Sequence, residues 1–202
     1  MGGCQTSIQH SQLFENDQSF CRLYPPYIRQ LDKIHWSPLA VTRRVAKFLV
    51  AGKNIKVLDI GSGAGKFCLA AAFYQPSGFF CGVEQRQNLI ELALMAKEKL
   101  GYTNVDFLHR NFTQVNFREF DAFFFYNSFF ENVPGSERID ESLSYSLDLY
   151  LYYSRYLCKQ LKELPVGTKL ATYCSWEDEI PEEFVVVEEE TEDHLKLWKK
   201  TS

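Results

Sequence analysis

The segment Val57-Leu58-Asp59-Ile60-Gly61-Ser62-Gly63-Ala64-Gly65-Lys66 constrains this chain more than any other. It runs from a short apolar stretch through three alternating glycines into residues with helical spacing. Glycines at such a passage let the backbone come close to a ligand. The helix start beyond them offers N–H groups with no intrahelical partner. Several ligands suit a loop of this kind, and spacing separates them. A phosphate-binding loop needs G-x-x-x-x-G-K-[ST]. Gly65-Lys66 imitates its end, but Ile60 occupies the first glycine position and Phe67 replaces the hydroxyl residue. A dinucleotide fingerprint needs G-x-G-x-x-G. Gly61 and Gly63 fit it, whereas Lys66 stands at the third glycine and disfavours a nicotinamide cofactor without removing it from consideration.

The flanking pattern predicts alternating strands and helices. Ser37-Pro38 reads as a cap followed by proline at the first helical position, with a helix running to Gly52. Strands are expected at residues 56–60, 79–83, 105–108, 121–126 and 169–173. Helices are expected between them at 66–74, 87–100 and 143–164. Buried strands joined through helices argue for a parallel sheet covered on both faces. Two further strands, 184–188 and 195–198, are separated only by an acidic turn and must pair antiparallel. The expected fold class is therefore α/β, a doubly wound, mostly parallel seven-stranded sheet ending in an antiparallel hairpin. Residues 1–36 are read as a partly irregular extension, frayed over 1–20, and residues 37–202 as the domain.

The complete match is D-x-G-x-G-x-G, at Asp59, Gly61, Gly63 and Gly65. Here the chain resembles the class I S-adenosylmethionine-dependent methyltransferases, over about residues 37–200. That family closes its second strand with an acid that binds the ribose hydroxyls, and Glu84 follows Gly65 by 19 residues. A carboxylate accepts both hydroxyl protons. The resemblance implies that Asp59, Gly61, Ser62, Gly63 and Gly65 cradle the cofactor, with Asn111 at the adenine amine and Phe112 against the ring. It also implies S-adenosyl-L-methionine as cofactor and methyl transfer as the activity. His35 and Trp36 stand where an N-terminal segment covers the cofactor in many relatives. One departure is that the helix between the fifth and sixth strands is missing or reduced to residues 176–183.

In this family the fourth strand ends beside the methyl group, here at Asn127-Ser128-Phe129-Phe130-Glu131-Asn132. Asn127 is expected to accept a hydrogen bond from an acceptor amine, and Glu131 to attract its proton. Asn127 also reads as a turn residue. Amine-directed relatives carry [DNS]-P-P-[YFW] at this place, which the chain lacks. Tyr24-Pro25-Pro26-Tyr27 looks similar but precedes the glycine loop, and reads as an extended turn. The loop at Asn127 also loosely resembles that of non-SET lysine methyltransferases. The expected acceptor is accordingly a protein side chain, lysine before arginine, or a small molecule. A module that binds the cofactor without turnover is the alternative.

Charge and cysteine usage bound the partners. Ten of the 26 acids lie in residues 177–193, which hold no Lys or Arg, so the rest sets 22 basic residues against 16 acids. That balance is too mild to argue for nucleic acid, and an RNA or DNA partner is not expected. The six cysteines show neither C-x-x-C spacing nor a Cys/His cluster, so no metal is expected and a reducing, cytoplasmic setting is. No apolar run is long enough to span a membrane. Met1-Gly2-Gly3-Cys4-Gln5-Thr6 fits a short myristoylation pattern, which leaves lipidation of Gly2 open.

Overall fold

Helices and short turns cover both faces of the sheet because its inner strands are buried on either side over 57–60, 80–84 and 122–125, whereas the edge strand at 105–109 leaves Asp106 exposed. The computed structural model describes residues 11–33, 35–176, 179–190 and 194–202, with only the backbone at 32 and 33. The strands are β1 (Lys56–Ile60), β2 (Phe79–Glu84), β3 (Val105–His109), β4 (Ala122–Tyr126), β5 (Lys169–Tyr173), β6 (Phe184–Glu190) and β7 (Leu195–Lys200). They form one sheet in the order β3-β2-β1-β4-β5-β7-β6. Pairing is parallel from β3 to β5, and β7 runs antiparallel to both β5 and β6. The expected sheet and its closing hairpin are thus present. The order reverses between β1 and β4, and a doubly wound sheet opens a ligand crevice at the strand ends beside such a reversal.

The two faces are covered unequally. Helices α1 (Leu39–Leu49), α2 (Lys66–Tyr74) and α3 (Gln87–Leu100) share a core with Val57, Phe80, Phe107 and Phe124. The opposite face packs Leu58, Ile60, Phe123 and Phe125 against Leu157 and Leu161 of α4 (Leu147–Lys162). Consecutive aromatics of β4 therefore serve both cores, since strand side chains alternate between faces. Each such phenylalanine contributes on the order of 2–3 kcal/mol through burial. Short 3-10 turns, Phe112–Gln114 and Phe117–Glu119, replace a helix between β3 and β4. Between β5 and β6 the described residues hold no α-helix, and residues 177 and 178, within the stretch expected to carry a reduced helix, lie outside them.

Three local expectations are revised. Ser37 does not cap α1; the Leu39 N–H donates instead to Asp17 Oδ1 at 3.0 Å, a cap supplied from 22 residues upstream. The same Asp17 oxygen pairs with Lys66 Nζ at 2.6 Å, so one carboxylate joins the starts of α1 and α2. Residues 11–20 are not frayed. Phe14 and Phe20 are buried, and Phe14 stacks on Phe73 at 4.1 Å. Residues 1–10, with the lipidation pattern, lie outside the described residues. Finally, α4 begins at Leu147 rather than 143, because the Ser146 hydroxyl accepts from the Leu149 N–H and caps the helix there.

The acidic hairpin is partly neutralised. Arg44 on α1 pairs with Glu188 and Glu190, and Lys196 pairs with Glu189 at 3.2 Å. No helix of the described residues is long and apolar enough to cross a membrane.

Candidate active site

The glycine loop follows β1 and hooks over the end of β2, where the Gly61 and Ser62 N–H groups donate to the Val83 carbonyl at 2.9 and 3.0 Å. Gly61, Gly63 and Gly65 all have positive φ, at 77°, 53° and 83°. A Cβ on Gly61 would fall 2.4 Å from Ser128, and one on Gly65 would fall 2.5 Å from the Phe107 ring. Gly63 differs: no atom lies within 4 Å of where its Cβ would stand, and it borders a cavity of about 500 Å³. That cavity lies at the β1–β4 reversal, lined by Gly61, Gly63, Glu84, Phe112, Asn127 and Glu131 among others.

Glu84 ends β2 with its carboxylate wrapped in donors. Its Oε2 accepts from the Gly63 N–H at 3.2 Å, and Oε1 accepts from the N–H groups of Gln85 and Arg86 at 2.8 and 2.9 Å. Burial raises its pKa above the ordinary carboxylate value, opposed by the Arg86 guanidinium and those N–H groups. Asp59 faces elsewhere. Strand alternation turns it towards α2, where its Oδ2 accepts from Cys68 Sγ at 3.5 Å, and it is not part of the cavity wall. Burial pushes its carboxyl up to about 7.

Asn111 and Phe112 part company. Phe112 lines the cavity. The Asn111 side chain instead caps the following 3-10 turn, accepting from the Thr113 N–H at 2.9 Å while its amide donates to Gln85 Oε1 and the Tyr153 hydroxyl at 2.8 Å. Its backbone N–H completes a capping box with Gln114. All of this follows from a short polar side chain at a turn.

At the acceptor end, Asn127 follows β4 with φ 39°. Its N–H donates to Ser175 Oγ at 3.2 Å, while its Oδ1 is buried without a partner. A left-handed non-glycine residue with an orphaned acceptor beside a cavity is the kind of strain that functional sites retain. Cys174, one position past β5, also has positive φ, at 51°, and lines the same cavity. Tyr126 and Tyr173, paired across β4 and β5, meet edge to face at 4.7 Å beneath them.

Glu131 lines the cavity but is already engaged. Its Oε2 accepts from Arg86 Nη2 at 2.6 Å and from the Ile139 N–H at 2.9 Å. Arg86 was not singled out from the sequence, yet it organises this wall. Its guanidinium also reaches Tyr145 Oη at 2.8 Å, Asp140 Oδ1 at 3.3 Å and Glu84 Oε1 at 3.5 Å. Burial works against the guanidinium charge, but Glu131, Glu84 and Tyr145 outweigh it and hold Arg86 as a cation. Through these contacts Arg86 clamps the segment 131–145, whose Ile139, Leu143 and Tyr145 roof the cavity. An arginine two residues beyond the strand-ending acid was the available signal; its partners, 45 to 59 residues away, were not visible.

The N-terminal residues His35 and Trp36 both line the cavity, where a covering segment was expected. Burial lowers the His35 pKa, against the pull of Glu131. Tyr24, in the Tyr24-Pro25-Pro26-Tyr27 turn, donates its hydroxyl to the Ala64 carbonyl at 2.8 Å and so braces the glycine loop from outside. Among the described residues, no three His, Cys, Asp or Glu side chains gather as a metal site.

Residues 51–200 match a family model described as a methyltransferase domain. Among curated proteins, the tRNA (guanine-N(7)-)-methyltransferase of Synechococcus sp. (strain JA-3-3Ab) is 52% identical over 54 residues, 27% of this chain and 23% of that protein. Its counterpart in Synechococcus sp. (strain JA-2-3B'a(2-13)) is 50% identical over the same length. These matches thus span less than a quarter of the relatives' own length. Among solved structures, an RNA methyltransferase from Salinibacter ruber in complex with S-adenosyl-L-homocysteine superposes with TM-score 0.57 at 17% identity, covering 83% of this chain and 94% of that one. TrmN from Thermus thermophilus gives TM-score 0.59 at 18% identity, covering 81% and 49%. At such identities the structural likeness shows the fold.

Proposed function

This chain belongs to the methyltransferase-domain family, with the class I S-adenosylmethionine-dependent fold, and we propose that it transfers a methyl group from S-adenosyl-L-methionine to a nitrogen acceptor. The observation that carries this reading is the convergence of Gly63, Glu84, Phe112 and the orphaned Asn127 Oδ1 on one cavity. The residues fit the cofactor. Open space stands against Gly63, and the same cavity wall carries the Glu84 carboxylate and the Phe112 ring, groups suited to ribose hydroxyls and to a purine. When bound, the cofactor supplies a methyl group already activated on a sulfonium. The protein's part is then to bind, orient and exclude water.

Each residue has a role in that scheme. Glu84 accepts from the ribose hydroxyls while Gly63 and Arg86 hold it in place. Phe112 packs against the base. Asn111 acts one step back, fixing the turn that presents Phe112. Asn127 Oδ1 accepts an N–H from the acceptor, which aims the nitrogen lone pair. Glu131, held by Arg86 and Ile139, contributes negative potential at the acceptor end rather than serving as a free base.

The acceptor class follows the relatives' names, which say tRNA and RNA, so a nitrogen of an RNA nucleotide comes first. A small-molecule amine is the second candidate, and the lysine reading gains no support from these relatives. The mildly basic balance outside the acidic hairpin is compatible with RNA once a family link exists. A different reading, cofactor binding without turnover, is favoured by one observation: the Glu131 carboxylate is already engaged by Arg86 and the Ile139 N–H.

Calorimetric titration with S-adenosylhomocysteine, beside NAD and ATP, tests the cofactor. Binding of the first alone, weakened by Glu84→Ala, supports the reading; preference for NAD overturns it. Labelled methyl transfer to RNA, metabolite and protein fractions of a lysate then separates the acceptors. Label in no fraction, despite tight binding, favours the non-catalytic module.

A further inference from the structure

We propose that the indole N–H of Trp36 holds the carboxylate at the amino-acid end of the cofactor, an assignment that rests on the cofactor reading above. Trp36 is 5% exposed and lines the cavity, yet its Nε1 has no hydrogen-bond partner. An indole nitrogen can only donate, so the group it awaits is an acceptor. Buried donors are nearly always paired, and an unpaired one beside a cavity points to a ligand.

The position of the ring selects which part of the ligand. Trp36 lies 4.8 Å from the Tyr24 ring, and Tyr24 is bonded to Ala64 of the glycine loop. Lys66 Nζ, at the first residue of α2, is 5.5 Å from the Trp36 centroid. The indole therefore sits beside the loop's exit into α2. The start of a nine-residue helix lies there, and its first N–H groups favour an anion, whereas the Lys66 charge is already paired with Asp17. Within the cofactor, adenosine carries no anion. The carboxylate is the anionic group of this cofactor, and charge strengthens its hydrogen bond to the indole. Asn127 Oδ1, an acceptor, is unsuited to a carboxylate, so the two residues of this cavity wall with an unpartnered buried atom have different tasks.

The test compares two ligands on the full chain and on Trp36→Phe, which keeps an aromatic ring and removes the N–H. S-adenosylhomocysteine carries the carboxylate; 5′-methylthioadenosine keeps the nucleoside and thioether without the amino-acid group. The expected result is a Kd for S-adenosylhomocysteine raised about tenfold, about 1.4 kcal/mol, with methylthioadenosine unaffected. An unchanged affinity for S-adenosylhomocysteine, or equal weakening of both ligands, overturns the assignment. Wild-type protein that binds neither ligand overturns the cofactor reading itself. Nitrogen-15 spectra of the unsubstituted chain give a check independent of the variant's folding. S-adenosylhomocysteine should shift the Trp36 indole resonance and methylthioadenosine should not; a resonance unmoved by either refutes the contact.

Discussion

Arg86 Nη2 donates to Glu131 Oε2 at 2.6 Å, and the same guanidinium reaches Glu84 Oε1 at 3.5 Å. One buried cation thus couples the acid at the end of β2 to the loop after β4. Removing it in Arg86→Ala leaves two largely buried carboxylates without their counter-ion. The expected loss is about 3–5 kcal/mol of stability, with a smaller loss for Arg86→Lys, which keeps charge but not the fork. Urea unfolding at neutral pH measures both; a loss under about 1 kcal/mol for the alanine variant would mean the network contributes no more than a surface pair.

Asp59 makes stability depend on pH. Its folded pKa is about 7 against an ordinary 3.8, so the folded state binds its proton more tightly than the unfolded state. The stabilisation is fully present below the unfolded pKa and is lost as pH rises through about 7. Asp59→Asn should therefore stabilise the protein near pH 8, by roughly 4 kcal/mol at most at about 1.4 kcal/mol per unit. The gain should shrink towards pH 5. Thermal unfolding across that range decides it, and a gain independent of pH would show that Asp59 is not the titrating group. Because Asp59 faces Cys68, the substitution should leave S-adenosylhomocysteine binding nearly unchanged.

Asn127 separates catalysis from folding. Asn127→Gly relieves the positive φ and should stabilise the chain by about 1 kcal/mol, while removing the Oδ1 that aims the acceptor. Transfer to the labelled fraction should fall by about 100-fold, with S-adenosylhomocysteine affinity retained. Paired melting and transfer assays test this; full activity in the glycine variant would leave Asn127 as a turn residue only.

Gly61 is closed to any side chain. Gly61→Ala combines positive φ with contact at 2.4 Å from Ser128, whose hydroxyl holds the Ile60 carbonyl at 2.6 Å. The cost should reach about 2–3 kcal/mol. Adding Ser128→Gly relieves the clash but not the backbone strain, so unfolding should show partial rescue. Complete rescue would assign the whole cost to sterics.

What the sequence determined by itself was the path of the backbone and the ligand class it suits. Glycine spacing at Gly61, Gly63 and Gly65 implies a loop whose backbone can approach a ligand, and the structure gives all three positive φ. Alternating apolar strands and helical stretches imply the sheet, and the short acidic stretch expected between 188 and 195 implies the antiparallel hairpin, which is present. These are properties of neighbouring residues, so a linear reading reaches them. The tertiary structure alone decided which side chains remain free to act. Asp59 turned to Cys68 because of strand phase against α2; Asn111 was taken by its own turn; Glu131 was taken by Arg86, 45 residues away. Asp17 capped a helix that Ser37 was expected to cap. Trp36 and Asn127 kept unpaired atoms because no element of the fold brings them a partner. Pairing between distant polar groups depends on how the chain crosses itself, and no local spacing encodes that crossing.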